Sequence, residues 1–305
     1  HSYIVYGPLL LGATTVLYEG KPVGTPDPGA FWRVVSEHKV KALFTAPTAI
    51  RAIRKEDPEG EHLARYDLSS LKYLFQAGER LDPDTYQWAS AKLGIPVVDH
   101  WWQTETGWAI AGNPMGVEPH PIKPGSATVP MPGYDLKVLR PDGTPCAANE
   151  EGSICLRLPL PPGTLPTLWG DDDRYVASYL SAFPGYYLTG DGGYVDEDGY
   201  LFVMGRTDDV INVAGHRLST GAIEAVLAEH PAVAECAVIG VADELRGQVP
   251  RGFVVLKAGA NPDGVTDELV RAVRENIGAI ACLRSVDVVP ALPKTRSGKI
   301  LRKTM

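Results

Sequence analysis

In the first third of the chain, short apolar runs alternate with stretches whose apolar residues recur at helical spacing, a pattern that suits parallel β/α layers. After an apolar opening, Ala13 to Tyr18 reads as a buried strand, and Phe31 to His38 as an amphipathic helix. Ala42 to Phe44 reads as a strand, Thr48 to Lys55 as a helix and Lys72 to Phe75 as a strand ending at Gln76-Ala77-Gly78-Glu79. Asp82-Pro83 starts the next helix with a capping side chain and a proline in the first turn, and Gly94 stops it. Pro96 to Val98 then forms a strand that runs into Asp99-His100-Trp101-Trp102-Gln103-Thr104-Glu105-Thr106-Gly107.

From Pro119 the runs shorten and Pro and Gly become frequent, which predicts a small β subdomain that includes Tyr134 to Leu139 and Ser153 to Leu158. A helix from about Asp173 to Leu180 leads to a Thr189-Gly190-Asp191 turn and a hairpin with its tip at Asp198-Gly199. Beyond Asp209 the pattern resets. It predicts a strand with a turn, a helix over Ser219 to Glu229, strands at Cys236 to Val241 and Phe253 to Lys257, a helix over Thr266 to Ile277, and a strand near Val286 to Val289. The fold class is therefore α/β followed by α+β, with one domain over 1–207 and a second over 208–305.

Composition narrows the partners. The 305 residues carry a formal charge of −8, which argues against nucleic acid as a partner and toward a small ligand. The four cysteines form no CxxC pair, so reduced thiols and a cytoplasmic compartment are the default. No apolar run reaches the roughly 20 residues of a membrane helix. The first residue is His1 rather than Met, and the expectation is a piece of a longer chain.

Two predicted strands end in polar or glycine clusters, where open α/β sheets bind ligands. The stretch Tyr187 to Arg217 alternates acids, bases and glycines, the chemistry of paired hydrogen bonds to a diol and contacts to phosphate oxygen, although a solvated hairpin and linker fits the same residues. Pro293-Lys294-Thr295-Arg296-Ser297-Gly298-Lys299 is a basic loop; alone, it reads first as a basic surface tail.

Taken in order, QAGE at Gln76 to Glu79, DHWWQTETG at Asp99 to Gly107, YLTGD at Tyr187 to Asp191, GRTDDVINVAGHRLS at Gly205 to Ser219 and PKTRSGK at Pro293 to Lys299 resemble the AMP-forming acyl-CoA synthetases, in particular the acetyl-CoA and propionyl-CoA members. The resemblance spans the whole chain. It implies the carboxyl-terminal part of an adenylation domain followed by a mobile α+β domain, with ATP, Mg²⁺ and CoA as cofactor and co-substrates.

By that resemblance, Lys299 contacts the carboxylate and α-phosphate during adenylation, assisted by Arg217 near the phosphate. Gly78 and Glu79 line the adenine, Asp99 accepts from its amino group and Trp101 lies against the ring. Gln103 and Thr104 belong to the nucleotide site, Asp191 and Arg206 hold the ribose, and Glu105 is the Mg²⁺ carboxylate. Ala77 and Trp102 bound an acyl pocket that favours propionate over acetate, because Ala77 stands where acetate-selective relatives have Val. Asp208 is the hinge; Gly215 and Arg274 serve CoA. Trp101 and Trp102 also fit core packing, Glu105 a helix-start acid, and Arg274 a solvated helix face.

The family's glycine-rich phosphate loop and the acid-binding residues upstream of the segment matching His1 are absent, so the expectation is that the piece alone is inactive. The implied reaction joins a short carboxylate to CoA through an acyl-adenylate. Its partners are small molecules, the missing amino-terminal part and lysine acetylation machinery acting at Lys299, with a mitochondrial matrix location if the source is eukaryotic. An adenylation domain loading a carrier protein and a non-catalytic nucleotide-binding module are the alternatives.

Overall fold

The computed structural model describes residues 5–207, 210–213, 216–257, 259–294 and 300–305, and only the backbone of Val210, Asn212, His216, Arg217 and Lys303. The chain forms two compact units, His1–Val203 and Met204–Met305.

The first unit opens with a short turn of helix, α1 (Gly7–Leu10), followed by α2 (Ala30–His38), β1 (Ala42–Thr45), α3 (Pro47–Glu56), β2 (Tyr73–Gln76), α4 (Pro83–Leu93) and β3 (Val97–Asp99). The three strands pair in parallel in the order β1-β2-β3. A core of Trp32, Ile50, Ile53, Leu74, Leu81, Ala89 and Val97 seals the helices onto one face. The local signals at α4 act as anticipated. The Asp82 carboxylate accepts from the Thr85 N–H at 2.8 Å, Pro83 occupies the first turn, and Gly94 closes the helix at φ 63°.

Ala13 to Tyr18 is a correction: it forms no strand, and Val16 and Leu17 are exposed. Apolar β-branched residues become a strand only where another edge accepts their hydrogen bonds. This segment does not pair with β1, the edge strand of the sheet.

A small pair, β4 (Ala111–Gly112) and β5 (Val129–Pro130), precedes β6 (Leu136–Leu139) and β7 (Gly152–Arg157). Next come α5 (Asp172–Tyr175), a π-helical turn over Val176–Leu180, β8 (Tyr186–Val195) and β9 (Leu201–Arg206). The sheet order is β6-β7-β8-β9. Its core gathers Leu136, Val138, Ile154, Leu156, Tyr187 and Leu201.

The Thr189-Gly190-Asp191 turn is a second correction, because these residues lie within β8. Leu188 pairs with Cys155 and Gly192 with Ser153, so Thr189, Gly190 and Asp191 together oppose the single residue Ile154. The result is a bulge, which bends the strand and re-aims side chains. Gly190 supplies its φ of 73°, where a side chain is disfavoured.

The second unit contains β10 (Val210–Val213), β11 (His216–Ser219), α6 (Thr220–Ala228), β12 (Val233–Asp243), β13 (Gly247–Leu256), α7 (Val265–Asn276) and β14 (Val286–Val288). Its sheet runs β11-β10-β13-β12, with β14 parallel to β13. Ile223, Leu227, Leu269 and Val273 from the helices pack with Ile211, Val238 and Val254 from the strands. Ser219 caps α6 by accepting from the Ala222 N–H at 3.3 Å. Among the described residues no helix is long and apolar enough to cross a membrane.

Candidate active site

The carboxyl ends of β2 and β3 bring the first group of anticipated residues together. Gln76 pairs with Asp99 in the sheet, and Ala77, Gly78 and Glu79 follow directly. Gly78 has φ 103°, and a Cβ built there would meet nothing within 4 Å, so glycine is required by the backbone and the space beside it is open. The Glu79 side chain turns toward α3. It accepts from the Thr48 N–H at 2.8 Å and from the Thr48 hydroxyl, and pairs with Arg51 at 2.7 Å.

Asp99 is buried and accepts from the Leu81 N–H at 3.1 Å. Burial raises its pKa to about 7 against the opposing backbone hydrogen bonds from Leu81 and His100. His100 points to the other face of the sheet, among Phe44, Phe75 and Trp102, with ring centroids 5.6, 5.7 and 5.0 Å away. Burial there lowers its pKa to about 4. Trp102 is half-buried beside this cluster and 5.8 Å from Phe44. Trp101 pairs through its backbone with Ala111 and packs against the core of the second sheet. Gln76, fully buried, has no hydrogen-bond partner for either side-chain amide atom among the described residues.

The second group is the turn Thr104–Thr106. The Thr106 hydroxyl accepts from the Gln103 N–H at 3.1 Å and lies 3.0 Å from both the Gln103 and Trp108 carbonyls, and Gly107 ends the turn at φ 60°. Thr104 is thereby left exposed at the rim, with Glu105 next to it. The Tyr179 hydroxyl donates to Glu105 Oε1 at 3.2 Å.

Gln103 joins this turn to β8. Its Nε2 donates to the Thr189 carbonyl at 2.6 Å and to Asp191 Oδ2 at 2.7 Å, while its Oε1 accepts from the Tyr187 hydroxyl at 3.2 Å. The bulge is held from the other side, where the Thr189 hydroxyl donates to the Ile154 carbonyl at 2.7 Å and accepts from the Asp191 N–H at 3.1 Å. The structure thus joins Gln103 to Asp191 by a direct hydrogen bond, and Thr104 and Glu105 follow Gln103 in the same turn. Sequence reasoning missed Tyr179, Tyr187 and Thr189. The last two lie inside YLTGD, but no local spacing reveals a partner more than eighty positions away.

A hard cation held by one protein carboxylate and substrate phosphates needs no protein cage. Glu105 fits that role, with one oxygen at Tyr179. Among the described residues no group of three His, Cys, Asp or Glu could hold a metal.

In the second unit, Arg206 ends β9 and is exposed. Arg274 is exposed on the last turn of α7, where it rims a cavity of about 240 Å³ with Val273, Cys282, Leu283 and Arg284. Asp208, Gly215, Lys299 and the Arg217 side chain lie outside the described residues.

The model of the AMP-binding enzyme family matches residues 1–163, and that of the AMP-binding enzyme C-terminal domain matches 222–299. An uncharacterized protein of Pseudomonas aeruginosa is 61% identical over the whole chain, which covers 49% of that protein. Mouse mitochondrial acyl-CoA synthetase short-chain family member 3 is 52% identical, again over the whole chain and 45% of the relative. Among solved structures, an anthranilate CoA ligase in complex with anthranoyl-AMP matches with a TM-score of 0.80 at 30% identity, over 96% of this chain and 54% of that one. The chain spans about half the length of the curated relatives it matches. With one family model covering more than half of its residues, the chain belongs to the AMP-binding enzyme family.

Proposed function

We propose that this chain is the carboxyl-terminal half of an AMP-forming ligase that joins a short-chain carboxylic acid to CoA. The carboxylate oxygen attacks the α-phosphorus of ATP and pyrophosphate leaves; the CoA thiol then attacks the acyl carbon and AMP leaves. No covalent enzyme intermediate is needed, so no Cys or Ser is assigned as a nucleophile. The observation that carries the reading is the Gln103 amide, which ties the turn bearing Thr104 and Glu105 to the Asp191 carboxylate at 2.7 Å. That bond supports a reading in which Thr104, Glu105 and Asp191 serve one nucleotide together.

In this reading Asp191 and Arg206 hold the ribose hydroxyls. Gly78, Glu79, Asp99 and Trp101 border the adenine, and Thr104 donates to the α-phosphate. Glu105 would hold a Mg²⁺ ion, which would supply positive charge against the substrate phosphates. Lys299 and Arg217 supply positive charge where two anions meet, which is where electrostatic stabilisation has the most effect. Asp208 is the hinge of a mobile domain that brings Gly215 and Arg274 to CoA. Ala77 and Trp102 limit the acyl group to a few carbons, with propionate preferred to acetate. The compartment is the cytoplasm, or the mitochondrial matrix in a eukaryote.

The test is ATP-dependent AMP release by the full-length protein with acetate, propionate and butyrate in parallel; absence of AMP release with all three acids sinks the reading. This chain alone should give no turnover. In the full-length protein, Lys299→Ala should reduce acyl-AMP formation by about two orders of magnitude or more while sparing thioester formation from supplied acyl-AMP. Equal loss in both half-reactions removes the assignment of Lys299.

A further inference from the structure

Alternation along β8 puts Tyr187, Thr189 and Asp191 on its buried face. Tyr187 is fully buried, and its ring stacks on that of Tyr179 with centroids 5.2 Å apart and planes 5° apart. Tyr179 comes from the π-helical turn that follows α5, a local widening of the helix of a kind often found at functional sites. The two phenols point to different candidate-site residues. Tyr179 donates to Glu105 Oε1, and Tyr187 donates to Gln103 Oε1, each at 3.2 Å.

The Gln103 amide has one permitted orientation. Its Nε2 faces two acceptors, the Thr189 carbonyl and Asp191 Oδ2, so Oε1 must face the Tyr187 hydroxyl, which can donate. An amide turned over would set oxygen against oxygen at 2.6 and 2.7 Å. A tyrosine hydroxyl is protonated at neutral pH, and burial first, then the charge of Glu105, push the Tyr187 phenol higher still.

We propose that Tyr179 and Tyr187 are positioning residues that act as one brace: the stacked pair holds Glu105 directly and Asp191 through Gln103, so the cation carboxylate and the ribose carboxylate are set together. This rests on the nucleotide reading of Asp191 and Glu105 given above. Both act through the side chains they hydrogen-bond. Tyr179 directly, and Tyr187 by way of Gln103, orients a carboxylate so that its remaining lone pairs face ligand, a preorganisation that lowers the ordering cost of binding.

The test uses the full-length protein and three variants that keep every ring, Tyr187→Phe, Tyr179→Phe and, as a control at the neighbouring ring, Tyr175→Phe. Calorimetry gives AMP and 2′-deoxy-AMP affinities in EDTA, which read the ribose arm without metal. ATP binding over a Mg²⁺ series gives the half-saturating cation concentration, which reads the Glu105 arm. Tyr187→Phe should weaken AMP binding about tenfold while changing 2′-deoxy-AMP binding much less, the scale of one hydrogen bond to a charged group. Tyr179→Phe should leave metal-free AMP binding unchanged and raise the half-saturating Mg²⁺ concentration several-fold. Tyr175→Phe should change neither. Gln103→Met, which leaves both tyrosines in place, should reproduce the Tyr187→Phe pattern and guards against a folding defect in that variant. The brace is overturned if Tyr187→Phe weakens both nucleotides equally, or if Tyr179→Phe matches Tyr175→Phe. Wild-type protein that binds neither nucleotide overturns the underlying nucleotide reading instead.

Discussion

Asp99 and Asp191 are equally secluded, at 9% and 8% exposure, yet the chain places them by different devices. Asp99 is the last residue of β3, delivered to the edge of the parallel sheet by strand register, with Gln76 beside it and the Leu81 N–H as a donor. Asp191 sits inside β8, where a bulge turns it toward Gln103, a residue 88 positions away in sequence. Burial dominates the first carboxylate and raises its pKa to about 7. The second receives a side-chain amide at 2.7 Å whose orientation is fixed by its other contacts. A strand end supplies position cheaply; a bulge with a dedicated donor also supplies orientation. On the proposed function, that difference suits Asp191 to a diol held through paired hydrogen bonds and Asp99 to a single contact.

The largest effect should therefore fall on Asp191. In the full-length protein, Asp191→Asn replaces an anionic acceptor of two hydroxyls and should weaken AMP binding by roughly 10- to 100-fold, the scale of hydrogen bonds to a charged group. The preference for AMP over 2′-deoxy-AMP, measured by calorimetry, should largely disappear. Asp99→Asn should cost much less affinity and leave that preference intact. Equal losses at the two positions would break the contrast.

Stability against pH sharpens the contrast from the other side. Asp99 has a folded pKa of about 7 against an ordinary 3.8, so the folded state holds its proton longer. Its contribution is greatest at low pH and is lost as pH rises through about 7. His100 is the reverse, about 4 against 6.5, so its contribution is present above 6.5 and lost as pH falls through about 4. Between those limits the two slopes oppose each other, each at most about 1.4 kcal/mol per pH unit. Urea unfolding of this chain from pH 4 to 7 should show the effect. Relative to wild type, Asp99→Asn should make stability rise more steeply with pH. His100→Phe, which suits the ring cluster of Phe44, Phe75 and Trp102, should make it fall. Identical slopes in the two variants would show that burial does not govern the strand-end pair.

The same contrast explains what the sequence made legible. The three-stranded parallel sheet and the caps of α4 rest on local chemistry, the Asp82 side chain, Pro83 and Gly94, and could be read residue by residue. So could the placing of Ala77, Gly78 and Asp99, because strand ends follow from strand assignment. The bulge was read as a turn because Gly190 between two polar residues carries the same signature in both settings; only the pairing of Leu188 and Gly192 across β7 tells them apart. Ala13 to Tyr18 failed for a related reason, since an apolar run specifies a strand only together with an edge to pair with. The Gln103 clamp and the stacked tyrosines join segments more than seventy residues apart, and no periodicity encodes them.

The smallest expected effect lies beside Gln76, at the strand end itself. Ala77 is 6% exposed, and its N–H donates to the Thr45 carbonyl at 3.2 Å, so its backbone is fixed by the sheet and only its side chain can change the space next to it. Ala77→Val adds two methyl groups at that fixed point. If the acyl pocket lies there, the larger acid loses more than the smaller one, because one methylene is worth about 1 to 3 kcal/mol of discrimination. In the full-length protein the kcat/KM ratio of propionate to acetate should fall about fivefold to tenfold, the lower end of that range, while AMP affinity stays within about twofold. An unchanged ratio removes the acyl pocket from the strand end. A shared loss of AMP affinity would mean that the strand end and the bulge are not independent devices, and would merge the two carboxylates into one coupled site.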